Sequence, residues 1–202
     1  MLFPRFNLAN KVTLARLLFA AVSCIFLLLI QEDWGVANWR HEAAWICETF
    51  FIIATASDAL DGYIARRDNT VTAFGRIADP FVDKVIVCAS LAFLTCIPET
   101  EGFLRPWMVA VILVREFLVN GIRGYMESIG VTFGAEMPGK IKMVVQSLLI
   151  GFLIGLIAFR DPDPPWVVYS THLLVWGTMV LTLWSGLLYV QKAGRHLGAR
   201  DI

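Results

Sequence analysis

Long apolar runs separated by short polar gaps dominate the hydropathy pattern of this chain. Six segments are long enough to cross a bilayer, because a membrane helix needs about 20 predominantly apolar residues. Their expected bounds are 11–31, 43–66, 76–97, 106–127, 139–159 and 166–191. The gaps between them are too short for a separate soluble domain. The pattern therefore predicts an all-α polytopic membrane protein with six transmembrane helices, forming a single membrane domain over residues 1–202.

The residues before the first predicted span have a different character. Residues 1–10 hold Leu2, Phe3, Phe6 and Leu8 beside one arginine, and the segment is too short to span. An apolar segment of this kind can lie in the membrane interface. We expect a short interfacial helix here, with a disordered lead-in as the alternative.

Composition supports a membrane location and argues against one class of partner. Hydrophobic residues make up 57% of the 202 residues, above the roughly 45–50% that soluble domains contain. The formal net charge is zero, so whole-chain electrostatics gives no reason to expect a nucleic-acid partner. The four cysteines lie in apolar segments without metal-ligand spacing, and we interpret them as small hydrophobic residues. The expected surroundings are membrane lipid.

The positions of lysine and arginine predict the orientation. With the N terminus inside, only Arg40, Arg105 and Arg160 of the 17 basic residues fall on the outer side. Basic residues concentrate in cytoplasmic loops of membrane proteins, so both termini are expected in the cytoplasm. We therefore expect an integral protein of the inner (cytoplasmic) membrane, with its active site facing the cytoplasm.

Four aspartates lie at the cytoplasmic ends of the second and third predicted spans. Asp58 and Asp61 are three residues apart and Asp79 and Asp83 are four apart, so each pair shares one face of a helix. An ionised carboxylate at the centre of a membrane helix costs about 2.5–3.5 kcal/mol, so a cluster needs a counter-charge. Carboxylate oxygens are preferred ligands of hard divalent cations. The spacing predicts a metal site built from two helix faces.

Small and basic residues are interleaved with these carboxylates. Gly62 and Ala65 allow close approach of a backbone or a ligand. Arg66 offers a bidentate guanidinium suited to phosphate, and Gly75 opens the third helix, where the backbone could approach an anion. Metal ions polarise phosphate oxygens and stabilise a leaving oxygen, while a carboxylate can accept the proton of an attacking hydroxyl. The segment therefore predicts phosphoryl-type transfer at the membrane surface.

Residues 58–83 resemble the signature of the CDP-alcohol phosphotransferase family, D-x2-D-G-x2-A-R-x8-G-x3-D-x3-D, at every defined position. Members of this family displace CMP from a CDP-linked lipid or alcohol with an alcohol acceptor and Mg2+ or Mn2+. The resemblance implies that Asp58, Asp61 and Asp79 ligate metal. It implies that Asp83 is the general base and also a ligand of the second of two ions.

The same resemblance implies the contacts of the nucleotide-linked lipid and the assembly of the protein. The residues expected to bind the CDP-lipid are Asn10, Thr13, Asp58, Gly62, Arg66, Thr72 and Gly75. Thr72 lies outside the fixed signature, so its assignment has less sequence support than that of Arg66. A homodimer is expected as well.

Three further patches resemble the branch of the family that forms phosphatidylglycerol phosphate: residues 7–16, residues 57–75, and a basic patch in the fourth and fifth spans. The basic patch brings four cations to the cytoplasmic face, Arg115, Arg123, Lys140 and Lys142. A phosphorylated acceptor, sn-glycerol 3-phosphate, would fit there. We expect the phosphatidyl group of CDP-diacylglycerol to be transferred to glycerol 3-phosphate, with release of CMP.

Other acceptors and another class of protein fit parts of the pattern. Inositol phosphate, serine and phosphatidylglycerol are acceptors in the same family, and Lys140 and Lys142 also fit the positive-inside bias. The Arg115-Glu116 and Gly139-Lys140 patches favour glycerol 3-phosphate. A cation transporter can also carry intramembrane carboxylates, but the aspartates cluster at one side and no inverted repeat is visible in the sequence.

Overall fold

The computed structural model describes residues 8–32, 39–67, 73–131, 137–159 and 164–198, without the side chains of 8–13, 58–67, 73–80, 83 and 197–198. The described residues form seven helices and no strand: α1 (Leu8–Gln31), α2 (Trp39–Arg67), α3 (Ala73–Leu94), α4 (Pro98–Glu101), α5 (Pro106–Ser128), α6 (Met137–Ala158) and α7 (Pro165–Gly198). The all-α prediction is confirmed.

Each predicted span falls on one of the six long helices. By length and composition, three described segments could cross a membrane: Leu14–Gln31, Met137–Ala158 and Pro165–His196. The helices α2, α3 and α5 carry more charge, and in α3 only Lys84–Leu94 forms a shorter apolar segment. The helices therefore agree with a membrane protein, while the number of spans and their orientation stay predictions.

The predicted N-terminal interfacial segment is described only at its end. Residues 1–7 lie outside the described residues. The helix α1 begins at Leu8 and runs without a break to Gln31, so residues 8–10 form its first turn rather than part of a separate helix.

Two compact units make up the chain. The first comprises Met1–Gly102 with Ile150–Asp163, and the second comprises Phe103–Leu149 with Pro164–Ile202. In the first unit α1 packs against both α2 and α3, and in the second α5 packs against α7. The prediction of a single membrane domain is not tested by this division, since helices of one membrane domain can form separate compact groups.

The helix α1 is the centre of the first unit. Its buried residues recur every three or four positions, as expected for one helix face: Arg16, Ala20, Ser23, Leu27 and Ile30. Small residues of α2 are fully buried, including Ala43, Ala44, Cys47 and Ala54. Small side chains let membrane helices approach closely, so α1 holds the two helices that carry the aspartates.

Neutral hydrogen bonds accompany this packing. Ser23 Oγ donates to the Cys47 carbonyl at 3.4 Å, and Cys47 Sγ donates back to the Ser23 carbonyl at 3.4 Å. Gln31 Nε2 donates to the carbonyl of Phe93 in α3 at 3.1 Å. These contacts join α1 to both of its neighbours.

In the second unit, one face of α7 is buried. The buried residues of this face again recur every three or four positions: Thr171, Val175, Thr178, Thr182, Ser185 and Tyr189. Val119 and Met126 of α5 form a hydrophobic cluster with Tyr189 and Ala193 of α7. On α5, Val119 and Met126 follow the charged residues Arg115 and Glu116, which are described below.

The end of α5 is determined by a glycine. Gly130 has a φ of +79°, a conformation that costs glycine little because it lacks a Cβ. The Val131 N–H donates to the Met126 carbonyl at 2.9 Å, and the Gly130 N–H donates to the Glu127 carbonyl at 3.1 Å. Val131 also packs against the cluster that contains Met126. This hydrogen-bond pattern ends α5 shortly after Arg123.

Candidate functional site

The four aspartates lie on two long helices of the first unit. Asp58 and Asp61 belong to α2, and Asp79 and Asp83 belong to α3. Both helices continue through their pair, so the spacing places each pair on one helix face. Their side chains lie outside the described ones, and the metal-ligand and base assignments stay predictions.

A group of four carboxylates fits a divalent cation by its chemistry, because hard cations take oxygen ligands. The described side chains contain no group of three or more His, Cys, Asp or Glu that could hold a metal ion. The aspartates of the signature are not among those side chains. The carboxylate pairs on α2 and α3 stay the predicted metal ligands.

The predicted CDP-lipid residues fall in the same helices or outside the described chain. Gly62 and Arg66 belong to α2, and Asn10 and Thr13 belong to α1. Gly75 was expected to open its helix, and α3 begins at Ala73, so Gly75 lies in the first turn. Thr72 lies outside the described residues. The side chains of the others are not described, and these assignments also stay predictions.

A buried charged cluster in the second unit is the part of the predicted site whose side chains are described. Arg115 and Glu116 of α5 and Lys142 of α6 are 8%, 7% and 2% exposed. Arg115 Nη1 donates to Glu116 Oε1 at 3.0 Å, and Lys142 Nζ donates to the same oxygen. Two cations from two helices therefore share one carboxylate oxygen.

Residues of α7 hold the other side of Arg115. Its Nη2 donates to Ser185 Oγ at 3.0 Å, and its Cζ lies 5.8 Å from the centroid of the Tyr189 ring. Its Nε has no hydrogen-bond partner within the described ranges. A guanidinium has five N–H donors, so this group retains a donor for a further acceptor.

Among the three described side chains of this cluster, positive charge exceeds negative charge. Arg115 and Lys142 contribute two positive charges and Glu116 one negative charge, and all three side chains are buried. Removing charges from water is costly unless they are paired, and guanidinium and ammonium groups bind phosphate strongly. A phosphate at this cluster would accept hydrogen bonds from the cationic side chains.

The other two predicted acceptor residues lie in different surroundings. Arg123 is half-buried on α5, and Lys140 is exposed on α6. Within the part of the chain that the structure describes, neither side chain makes a hydrogen bond or an ion pair. The structure brings together Arg115 and Lys142, and it gives no contact that joins Arg123 or Lys140 to them.

Sequence reasoning missed the contribution of α7. Ser185 and Tyr189 lie in a long apolar helix, one turn apart on its buried face. A hydroxyl recurring at helical spacing, from Thr178 through Thr182 to Ser185, was the available signal. The contact itself joins residues 70 positions apart, which local periodicity does not reveal.

Comparison with known proteins gives the wider context of this arrangement. Residues 6–184 match the model of the family described as CDP-alcohol phosphatidyltransferase. The chain is similar to a Bacillus subtilis (strain 168) protein named CDP-diacylglycerol–glycerol-3-phosphate 3-phosphatidyltransferase, with 35% identity over 198 residues, or 93% of this chain and 95% of the relative. A protein of that name from Pseudomonas fluorescens is 34% identical over 200 residues, covering 95% and 92%. One from Yersinia pestis (strain Pestoides F) is 31% identical over 160 residues, covering 77% and 82%.

Proposed function

Because the chain belongs to the CDP-alcohol phosphatidyltransferase family, we propose that it transfers a phosphatidyl group from CDP-diacylglycerol to sn-glycerol 3-phosphate. The products are phosphatidylglycerol phosphate and CMP, which makes the protein an enzyme of phospholipid biosynthesis. The observation that carries this proposal is similarity over more than nine-tenths of the chain to relatives named for that reaction.

The proposed setting is the cytoplasmic face of the inner membrane. Six spans with both termini inside are supported by the six long helices and by the uneven distribution of lysine and arginine. The proposed assembly is a homodimer, for which the support is the family resemblance.

Asp58, Asp61 and Asp79 would hold two divalent ions, Mg2+ or Mn2+, with Asp83 as a further ligand. The ions, when bound, supply positive charge beside the diphosphate of the CDP-lipid. The support is the complete signature and the placement of each aspartate pair on one face of a continuous helix.

Asp83 is the proposed general base. Its carboxylate accepts the proton of the primary hydroxyl of glycerol 3-phosphate as the hydroxyl oxygen attacks the β-phosphorus. A new P–O bond forms, the phosphoanhydride bond breaks, and the bonding electrons leave with CMP. The cytidine diphosphate would be bound by Asn10, Thr13, Asp58, Gly62, Arg66, Thr72 and Gly75, on the strength of the sequence resemblance.

The phosphate of the acceptor would bind at the charged cluster. Arg115 and Lys142 are its central ligands in this proposal, because both are buried and Arg115 retains an N–H donor. Arg123 and Lys140 would contribute further positive charge. Glycerol 3-phosphate suits this cluster better than serine, which brings no phosphate.

The decisive experiment measures CMP release from CDP-diacylglycerol by the purified protein in proteoliposomes with Mg2+ or Mn2+. Glycerol 3-phosphate, inositol phosphate, serine and phosphatidylglycerol are compared as acceptors. Release that depends on glycerol 3-phosphate is the expected result. Release with only one of the other acceptors would move the function to that acceptor, and no release with any of them would contradict the enzymatic proposal.

A further inference from the structure

We propose that three residues of α7, Ser185, Gly186 and Tyr189, act together to position Arg115 for the acceptor phosphate. We call them the Arg115 support. The proposal rests on the proposed function, since it takes Arg115 to be a phosphate ligand. The three residues are positioning residues, because they act through Arg115.

Gly186 provides the space that the stem of Arg115 occupies. A Cβ added at Gly186 would lie 3.0 Å from Arg115 Cγ and 3.9 Å from Arg115 Nε. Cγ is near the root of the side chain, and Arg115 is buried, so the stem cannot move away without displacing the guanidinium. Glycine at this position therefore permits the observed path of the side chain.

Ser185 fixes one end of the guanidinium. Its Oγ donates to the Thr182 carbonyl at 3.2 Å, so the lone pairs of the oxygen remain for the Nη2 of Arg115 at 3.0 Å. The hydroxyl is thus oriented as an acceptor before any ligand arrives. Ser185 is fully buried, so water does not compete for this contact.

Tyr189 lies one turn further along α7 and borders the guanidinium with its ring. Cations are attracted to the face of an aromatic ring at this distance. Glu116 holds Nη1, Ser185 holds Nη2, and Gly186 accommodates the stem. The Glu116 and Ser185 contacts use two of the five N–H donors, so donors remain for a ligand, and the contacts fix the orientation of the guanidinium in advance.

The first test compares two glycine substitutions on the same helix. Gly186→Ala should raise the KM for glycerol 3-phosphate about tenfold or more, because it displaces a phosphate ligand, while the KM for CDP-diacylglycerol changes little. Gly177→Ala is the matched control, since a Cβ at Gly177 would meet no described atom within 4 Å beyond its chain neighbours and the backbone of its own helix. Equal kinetic effects of the two substitutions, or none from either, would overturn the proposal.

A second test separates positioning of Arg115 from a general packing role of α7. Ser185→Ala should raise the KM for glycerol 3-phosphate in the wild-type background and should have no further effect when Arg115 is already alanine. This loss of the effect is what a shared action predicts. An effect of the same size in both backgrounds would contradict the proposal, and this test also holds if Gly186→Ala does not fold.

Arg115→Ala distinguishes an error in the phosphate role of Arg115 from an error in the Arg115 support. If Arg115→Ala leaves the KM for glycerol 3-phosphate unchanged, the acceptor-phosphate role of Arg115 is wrong, and the Arg115 support falls with it. If Arg115→Ala raises that KM while Ser185→Ala and Gly186→Ala behave like Gly177→Ala, the phosphate role stands and the Arg115 support alone is wrong.

Discussion

The α1–α2 contact of the first unit and the α5–α7 contact of the second are built with different chemistry. Between α1 and α2, the Ser23 and Cys47 side chains exchange neutral hydrogen bonds with each other's backbone. Between α5 and α7, a buried guanidinium joins Arg115 to Ser185 and Tyr189. Small residues and neutral bonds suffice to associate membrane helices. The contact of the buried guanidinium with Ser185 and Tyr189 is therefore an addition that helix packing does not require.

The largest expected effect tests the chemistry assigned to the first unit. Removing divalent ions with EDTA should abolish CMP release, and adding back Mg2+ or Mn2+ should restore it. The reason is that the ions provide the positive charge beside the reacting diphosphate. Full activity after exhaustive chelation would contradict the assignment of Asp58, Asp61 and Asp79 as metal ligands.

The second prediction concerns the base. Asp83→Asn should lower kcat by roughly 100-fold or more, because an amide cannot accept the hydroxyl proton, while CDP-diacylglycerol binding is retained. The measurements are CMP release and equilibrium binding of the CDP-lipid. Asp68→Asn is a control in the same segment, at an undefined position of the signature, and near-wild-type turnover of Asp83→Asn would show that another group takes the proton.

A pair of lysines on α6 sharpens the contrast between buried and exposed charge. Lys142→Ala should raise the KM for glycerol 3-phosphate roughly tenfold to 100-fold, because a buried charge in a hydrogen-bonded cluster is lost. Lys140→Ala should change it by less than about fivefold, as an exposed cation contributes at most about 1 kcal/mol. The same steady-state assay measures both, and equal effects would mean that burial does not distinguish the two residues.

The smallest expected effect lies in the α1–α2 contact. Ser23→Ala should lower the free energy of unfolding by about 0.6 kcal/mol, the average for such bonds between membrane helices. Both KM values should stay unchanged. Unfolding in detergent micelles and the acceptor assay are the two measurements, and a raised KM for either substrate would remove the distinction between the two helix contacts.

Hydropathy predicted the long helices because lipid imposes the length and apolar character of a spanning segment. It predicted their ends less well, since charged and polar residues continue a helix beyond the bilayer. The helix α7 runs to Gly198, past the expected end at residue 191, and α1 begins at Leu8 before the expected start at 11.

Only the part of the candidate site that is local in sequence could be predicted. The aspartate signature is local in sequence, so its helices and spacing were readable from the chain. The pairing of Arg115 with Lys142 depends on which helix faces meet, and only the presence of both cations was predicted. Ser185 and Gly186 act through contacts with a distant part of the chain, which no local pattern records.

The sharing of one Glu116 oxygen by two cations has a consequence for turnover. In the proposed reaction the phosphate of glycerol 3-phosphate is not consumed, and the product carries the same phosphomonoester. Arg115 and Lys142 therefore meet the same group before and after the transfer. A cluster that bound this phosphate too strongly would retain the product. Under the proposed function, Glu116 would limit that affinity, because it occupies part of the donor capacity of both cations.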